Sequence, residues 1–137
     1  AGMMHDIGKP ILLMHFRENY AAAMTNTAQT GEPMHKTEAE ILGVSHAEIG
    51  AYLLSLWGEP DSTVEAVLQH HQPSRVDSPK VNALTAVHIA NALHHRDRYD
   101  DINQWKSNEL DMNYLRNIQL ADMVDELAQG CTVEAQA

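Results

Sequence analysis

Apolar side chains recur every three or four residues along most of the chain, which is the spacing of one face of an α-helix. In the clearest segment, Ser45 and Glu48 form a capping box that predicts a helix start. The apolar face that follows carries His46, Ile49, Gly50, Leu53, Leu54 and Trp57. No alternating pattern typical of a strand extends beyond about four residues. The pattern therefore predicts an all-α fold, a compact multi-helix bundle.

Two more helices are predicted downstream. One covers residues 61–71, with Ser62 and Glu65 as a second capping box. The other is predicted to begin at Ser78-Pro79, a cap followed by proline at the first helical position. Its face carries Leu84, Val87, His88, Asn91 and His95. Each of these predicted helices places a histidine among apolar neighbours.

The remaining segments give weaker helical patterns. Residues 18–30 predict a surface helix that ends at Gly31, and residues 37–42 a short helix closed by Gly43. The charged stretch 94–108 predicts a helix end and a loop. A last amphipathic helix is predicted around residues 120–127 and is ended by Gly130.

Size and charge narrow the possible functions. A chain of 137 residues with 44% hydrophobic residues fits one domain with an ordinary core. The net charge of −10 argues against an extended surface for nucleic acid or an anionic membrane, because such surfaces neutralise phosphates with Lys and Arg. A small anion can still bind where a buried cation reverses the local field.

The cellular setting is predicted from what the sequence lacks. A single cysteine, Cys131, excludes an internal disulfide and suits a reducing cytoplasm. No apolar run approaches the roughly 20 residues that cross a bilayer, and no signal-peptide pattern is present. We therefore expect a cytoplasmic protein. The abrupt opening at Ala1-Gly2-Met3-Met4 suggests a fragment that lacks upstream helices.

The histidines suggest metal chemistry. His5 and Asp6 are adjacent within His-Asp-Ile-Gly-Lys, and His46, His70 and His71 follow on later segments. Imidazole and carboxylate groups together are ligands for divalent Mn, Fe, Co, Ni or Zn. The competing interpretation is a degenerate pocket that keeps the imidazoles for hydrogen bonding. His15, His35, His94 and His95 stand beside charged or polar residues, and we expect them at the surface or in loops.

A set of motifs in a fixed order resembles a known family. The motifs are residues 5–9, 40–54, 57–60, 66–73 and 86–93. Together they are similar to the HD-related output domain (HDOD) of bacterial signalling proteins, within the superfamily of HD and HD-GYP metal-dependent phosphohydrolases. The resemblance extends to Tyr114-Leu115, so one HDOD or HD-like domain is expected over residues 1–137.

The resemblance implies roles for individual residues. Asp6 is expected to bind metal and to bridge two ions where two are present, and Lys9 to face a phosphate. Asp6 and Lys9 are therefore the catalytic candidates. The further metal-ligand positions are His5, His46, His70 and His71. The implied cofactor is one or two divalent transition-metal ions.

The chain departs from the pattern of its superfamily in ways that bear on activity. Residues 72–75, Gln-Pro-Ser-Arg, replace the Gly-Tyr-Pro signature associated with cyclic dinucleotides. His88 stands where a late aspartate ligand is usual, with Asn91 one turn on. A neutral imidazole there would hold a second cation less firmly than a carboxylate.

Two functions of different classes remain open from the sequence. The first is a signal-transduction output domain with a metal site, working through protein partners or an upstream receiver or sensory domain. The second is a metal-dependent phosphohydrolase acting on a phosphate-containing small molecule, such as a nucleotide or cyclic dinucleotide. The resemblance to HDOD favours the first, and the complete His-Asp-Ile-Gly-Lys motif favours the second.

Overall fold

The computed structural model describes residues 1–77 and 80–134, of which 130–134 are described for their backbone only, and contains no strand in those ranges. Its helices are α1 (Gly8–His15), α2 (Arg17–Thr30), α3 (Met34–Leu42), α4 (His46–Leu56), α5 (Asp61–Gln69), α6 (Ala83–His94), α7 (Ile102–Glu109), α8 (Met112–Asn117) and α9 (Ala121–Glu134). Short 3-10 turns occur at Gly2–Met4, Pro73–Arg75 and Arg96–Arg98. The expected all-α fold is confirmed.

Several helix boundaries lie where the sequence predicts them. The Ser45 side chain accepts the backbone N–H of Glu48 at 3.4 Å, and the Glu48 carboxylate accepts the backbone N–H of Ser45 at 2.8 Å. This reciprocal capping box starts α4. Helices α2 and α3 end at Gly31 and Gly43, whose φ angles of 74° and 77° are left-handed and suit glycine.

Two predicted helix starts need correction. Helix α5 begins at Asp61 without a side-chain cap, so Ser62 and Glu65 lie inside the helix and form no capping box. Helix α6 begins at Ala83, where Asn82 and Thr85 make the capping box instead. The predicted start at Ser78-Pro79 lies outside the described residues.

The C-terminal third also differs from the sequence prediction. The charged stretch expected to be a loop contains α7, which is capped by the Asp101 carboxylate accepting the backbone N–H of Asn103 at 2.9 Å. Helix α9 continues through Gly130 to Glu134 rather than ending at the glycine.

The buried apolar residues form two clusters of different size. A small N-terminal cluster consists of Ala51, Leu54 and Val67. The larger cluster, called here the Trp105 cluster, consists of Ile89, Ala92, Trp105, Leu110, Tyr114, Leu115, Ile118, Val124 and Ala128. Helix α6 contacts both α5 and α7, so it joins the two halves.

A close approach of two helices sets the position of the His5-Asp6 pair. Gly8, at the start of α1, lies against the first residue of α4, and a Cβ there would collide with the carbonyl oxygen of His46. Gly50 in α4 faces back, and a Cβ there would lie 3.1 Å from Ile7 Cγ2. The absence of side chains at both positions lets α1 pack directly on α4, which brings Asp6 beside His46.

Among the described residues, no helix combines the length and the hydropathy that a membrane span requires.

Candidate metal centre

The structure brings together the side chains at positions 5, 6, 46, 70 and 71. The ring centroid of His70 lies 5.1 Å from that of His5, 5.6 Å from that of His46 and 3.9 Å from that of His71. Asp6 Oδ1 lies 3.3 Å from Nε2 of His46. Residues separated by up to 66 positions therefore converge on one small volume, because α1, α4 and the end of α5 pack together.

Within this volume, two overlapping groups have the spacing of metal ligands. One is His46, His70 and His71, and the other is His5, Asp6 and His70. In each group the candidate ligand atoms lie within 4.8 Å of one another. His70 belongs to both groups and is the geometric centre of the cluster.

His70 is held in a conformation that leaves one ring nitrogen free. Its side chain is 0% exposed, and its Nδ1 lies 2.7 Å from the carbonyl oxygen of Val67 one turn back. A carbonyl can only accept, so Nδ1 carries the hydrogen and Nε2 carries a lone pair. Nε2 has no hydrogen-bond partner among the described residues. Burial lowers the pKa of His70 to about 3, so the ring is neutral at physiological pH.

A buried glutamate orients His46. Glu38 in α3 accepts both the backbone N–H of His46 at 2.8 Å and its ring Nδ1–H at 2.6 Å. Carboxylates commonly hold the far nitrogen of a metal-binding histidine in this way. Burial alone would lower the pKa of His46, but the contacts with Asp6 and Glu38 outweigh burial and raise it. Glu38 was not among the predicted site residues. Its hydrogen-bond partner His46 lies eight residues further along the chain, beyond the turn at Gly43, so no local pattern connects the two.

His71 completes the first group. Its Nε2 lies 3.0 Å from Nε2 of His46, so one of the two nitrogens donates to the other in this structure. Its ring stacks on His35 with centroids 4.0 Å apart. Burial, followed by the neighbouring His70, lowers the pKa of His71 well below its ordinary value, and burial lowers that of His35 to about 4. The expected surface position of His35 is therefore wrong, because the fold packs it on the cluster.

Asp6 lies between the histidines and a lysine. Its Oδ2 pairs with Lys9 Nζ at 2.6 Å, one turn along the chain. Burial would raise the pKa of Asp6, but the contacts with His46 and Lys9 prevail and hold it well below its usual range. His5 donates from Nδ1 to the carbonyl of Gly2 at 2.7 Å, and its Nε2 lies 3.2 Å from Asn91 Oδ1. Asn91 was not among the predicted site residues, although it shares the buried face of α6.

His88 occupies a different position from the other candidates. Its Nδ1 donates to the carbonyl oxygen of His70 at 2.6 Å, and its Nε2 accepts the backbone N–H of Asp111 at 3.0 Å. Both ring nitrogens are therefore used, and neither group of close ligand atoms includes His88. His88 as a metal ligand therefore stays a prediction, and binding through its Nε2 would require release of the backbone N–H of Asp111. His88 ties the end of α5 to the start of α8.

The other histidines divide into exposed and buried side chains. His15 and His94 are exposed, as expected. His95 was expected at the surface but is buried, with its Nδ1 3.0 Å from Glu109 Oε2. The correction has a physical reason: the unpredicted α7 folds back on the end of α6 and covers His95.

An open cleft of about 320 Å³ adjoins the histidine cluster. Lys9, His46 and His71 line it, so two members of the first metal-ligand group lie at its surface. The lining continues onto the segment between α6 and the end of α7, through His95, Arg98, Tyr99, Gln104 and Glu109. A small molecule in this cleft would lie next to the cluster.

Comparisons with known proteins give one family match and two relatives. The HDOD domain matches residues 1–73, which include the whole histidine cluster. Ribonuclease Y of Aquifex aeolicus (strain VF5) is 29% identical over 92 residues, covering 67% of this chain and 12% of that protein. An uncharacterized protein of Treponema pallidum (strain Nichols) is 24% identical over 90 residues, covering 66% of this chain and 18% of its own length. The chain thus spans less than a fifth of either relative. No solved structure matches.

Proposed function

The chain belongs to the HDOD family, a family of signalling-associated output domains, and we propose that it does its work with a divalent transition-metal ion bound at the histidine cluster. The ion is Mn, Fe, Co, Ni or Zn. Its ligands are Nε2 of His46, His70 and His71. The extension of the same domain to residue 137 and a cytoplasmic location remain predictions.

The observation that carries the proposal is the free Nε2 of His70. A buried polar atom without a partner is costly, and natural proteins rarely keep one without a purpose. This nitrogen lies within 4.8 Å of the candidate ligand atoms of His46 and His71, and Val67 and Glu38 already hold Nδ1 of His70 and of His46. Such hydrogen bonds on the far nitrogen orient histidines toward a metal ion, which would displace the proton shared between Nε2 of His46 and Nε2 of His71. The hydrogen-bonding pocket considered above would leave this atom unexplained.

The donor set also fits a second ion, less securely. The group of His5, Asp6 and His70 shares His70 with the first group. Because the single free nitrogen of His70 can bind only one ion, a second ion would keep His5 and Asp6 as ligands, and Asp6 would have to give up its pairing with Lys9. Because His88 is committed to the backbone, it adds no ligand to either ion. We propose one firmly held ion, with a second held weakly.

Metal content provides the direct test. Protein reconstituted with Zn or Mn and passed through a desalting column should retain one equivalent, and at most two, by elemental analysis. His70→Gln, which loses a ligand, should remove most of it, and Asp6→Ala should remove the weakly held second equivalent. His15→Gln, at an exposed histidine, is the matched control and should retain the metal. Absence of metal in the wild type would end the proposal.

Phosphate ester hydrolysis is the second candidate function. The observation in its favour is that Lys9 lines the same cleft as His46 and His71 of the first ligand group. A divalent metal in such a site supplies Lewis acidity toward phosphate oxygens and an activated water. Lys9, released from Asp6, would neutralise phosphate charge. We propose a phosphate-containing small molecule as the ligand of the cleft.

A substrate panel separates regulation from hydrolysis. Metal-loaded protein is incubated with phosphomonoesters, a linear dinucleotide and cyclic dinucleotides, and release of product is measured by chromatography. Turnover lost in both Asp6→Ala and Lys9→Met indicates catalysis at this site. Retained metal without turnover on any substrate indicates a regulatory domain that acts through protein partners or a preceding sensory domain.

A further inference from the structure

A second buried polar group lines the cleft and has no part in the metal cluster. His95, at the end of α6, is 7% exposed, and its Nδ1 lies 3.0 Å from Glu109 Oε2. Tyr99 donates its hydroxyl to the other oxygen, Glu109 Oε1, at 2.7 Å. Glu109 thus holds both side chains in place from the end of α7.

The hydrogen bonds fix one proton of the imidazole. Burial would raise the pKa of Glu109, but the hydrogen bonds from His95 and Tyr99 outweigh it and lower the pKa, so the carboxylate is ionised. An ionised carboxylate only accepts, and Nδ1 of His95 therefore carries a hydrogen. In the neutral ring, Nε2 then carries the lone pair. No hydrogen-bond partner for Nε2 is recorded in the described part of the chain.

We propose that His95 contacts a ligand in the cleft, and that the ligand is a small phosphate monoester carrying hydroxyl groups. Nε2 of His95 accepts a hydrogen bond from a ligand hydroxyl. Glu109 and Tyr99 are positioning residues that act through His95. The contact between His95 and a ligand hydroxyl is inferred from the geometry of His95 alone. The phosphate group of the ligand rests on the proposed function.

The lining of the cleft determines the class of ligand. Lys9 and Arg98 supply positive charge for a phosphate, and Arg98 has no ion pair among the described residues. Glu32 and Asp100 line the same cleft, and their negative charge disfavours a ligand with several phosphates. At about 320 Å³ the cleft has room for more than a phosphate group. One phosphate joined to a hydroxyl-bearing carbon skeleton satisfies all three observations.

The test compares two probes that differ in their hydroxyl groups. Glycerol 3-phosphate and propyl phosphate have the same carbon count and the same phosphate. Binding to Zn-loaded protein is measured by calorimetry, and long-range ¹H–¹⁵N spectra record the imidazole nitrogens. We expect glycerol 3-phosphate to bind about fivefold tighter, the worth of roughly one hydrogen bond. It should also shift the His95 Nε2 resonance, which propyl phosphate should leave in place.

Variants then assign the preference to His95. His95→Phe should make the affinities for glycerol 3-phosphate and propyl phosphate equal. The exposed neighbour His94 is the control, and His94→Phe should keep the fivefold ratio. Because His95→Phe also removes a contact between α6 and α7, Tyr99→Phe is the second variant. Tyr99→Phe keeps the imidazole and loosens its carboxylate, so it should reduce the ratio partially. A merely structural role would change stability and leave the ratio unaltered.

The outcomes separate this inference from the metal proposal. Equal affinities for both probes with an unmoved His95 resonance overturn the inference, even in protein that holds metal. A hydroxyl preference that depends on His95 in protein that takes up no metal supports the inference and leaves the metal proposal refuted. A preference that survives His95→Phe also overturns the inference.

Discussion

The two halves of this molecule use their buried positions differently. Around His70, the fully buried side chains include His46, His70 and Glu38, and the nearest apolar cluster is small. Around Trp105, the interior is almost entirely apolar, and Trp105 itself is 0% exposed with its Nε1–H donated to the carbonyl of Ala92 at 2.7 Å. Helix α6 contributes to both regions.

This difference suggests that one half of the molecule provides stability and the other provides the chemical groups. Burying imidazoles and carboxylates costs desolvation energy, which hydrogen bonds return only in part. Burying leucine is favourable, and so is burying tyrosine and tryptophan where the hydroxyl and the indole N–H have hydrogen-bond partners. We infer that the Trp105 cluster stabilises the fold so that the polar interior of residues 1–73 can be kept ready for a ligand. The HDOD match covers that polar half.

The largest expected effect comes from breaking the apolar half. Trp105→Ala should lower the free energy of unfolding by about 3–5 kcal/mol, because it opens a cavity and removes one of the two hydrogen bonds to the carbonyl of Ala92. Urea denaturation measures the change. Metal content per folded molecule should stay the same, since no metal-cluster residue belongs to the Trp105 cluster.

The other tryptophan is the matched control for this change. Trp57 is 60% exposed, so Trp57→Ala should change the free energy of unfolding by no more than about 0.5 kcal/mol. An equal loss in the two variants would show that the apolar cluster is not what stabilises the fold. Where Trp105→Ala yields no folded protein, Trp105→Phe gives a smaller change of the same sign.

The next largest effect changes both the free energy of unfolding and the affinity for metal. Gly8→Ala should cost about 1–3 kcal/mol, because the new methyl group collides with the carbonyl of His46 and forces α1 away from α4. The same shift moves Asp6 from His46, so metal affinity should fall in parallel. Denaturation and metal titration measure the two effects. Gly2→Ala, which meets nothing within 4 Å, should change neither.

The effect that is smallest at neutral pH is a pH dependence confined to the polar half. The folded-state pKa of His70 is lowered to about 3 and that of His35 to about 4, so between these values and 6.5 the unfolded chain binds more protons. Stability of the metal-free protein should therefore fall as pH drops below 6.5, by up to about 1.4 kcal/mol per pH unit for each such imidazole. The raised pKa of His46 acts at higher pH, where its stabilisation is lost as pH increases.

Urea denaturation in the presence of a chelator at several pH values between 4.5 and 6.5 measures this slope. His70→Gln should reduce the slope of unfolding free energy against pH by the contribution of one imidazole. His15→Gln should leave the slope unchanged. A slope that is identical in wild type and His70→Gln would contradict the burial of a neutral His70.

Local signals made much of the fold predictable. The Ser45 capping box, the glycines at 31 and 43 and the apolar periodicity of α4 act within a few residues, so the sequence displays them directly. Helix α6 begins later than predicted because Asn82 and Thr85 supply its capping box, with residue types that differ from the Ser45–Glu48 pattern. Helix α7 was missed because charged residues surround Trp105 in the sequence.

The residues of the metal cluster could be predicted from their amino-acid types. The carboxylates that orient the buried histidines could not. His5, Asp6, His46, His70 and His71 stand out as residues that are expensive to bury together. Glu38 and Glu109 look like ordinary surface acids until α3 and α7 pack against His46 and His95. His88 is the opposite case. It was predicted as a site residue, and on its buried helix face both of its ring nitrogens bond the backbone, at His70 and at Asp111.

Anomalous diffraction from crystals of zinc-reconstituted protein tests the central claim most directly. Data collected on both sides of the zinc absorption edge should show a peak about 2.0–2.1 Å from Nε2 of His46, His70 and His71. Zinc found only at exposed histidines such as His15, with nothing at the cluster, would contradict it.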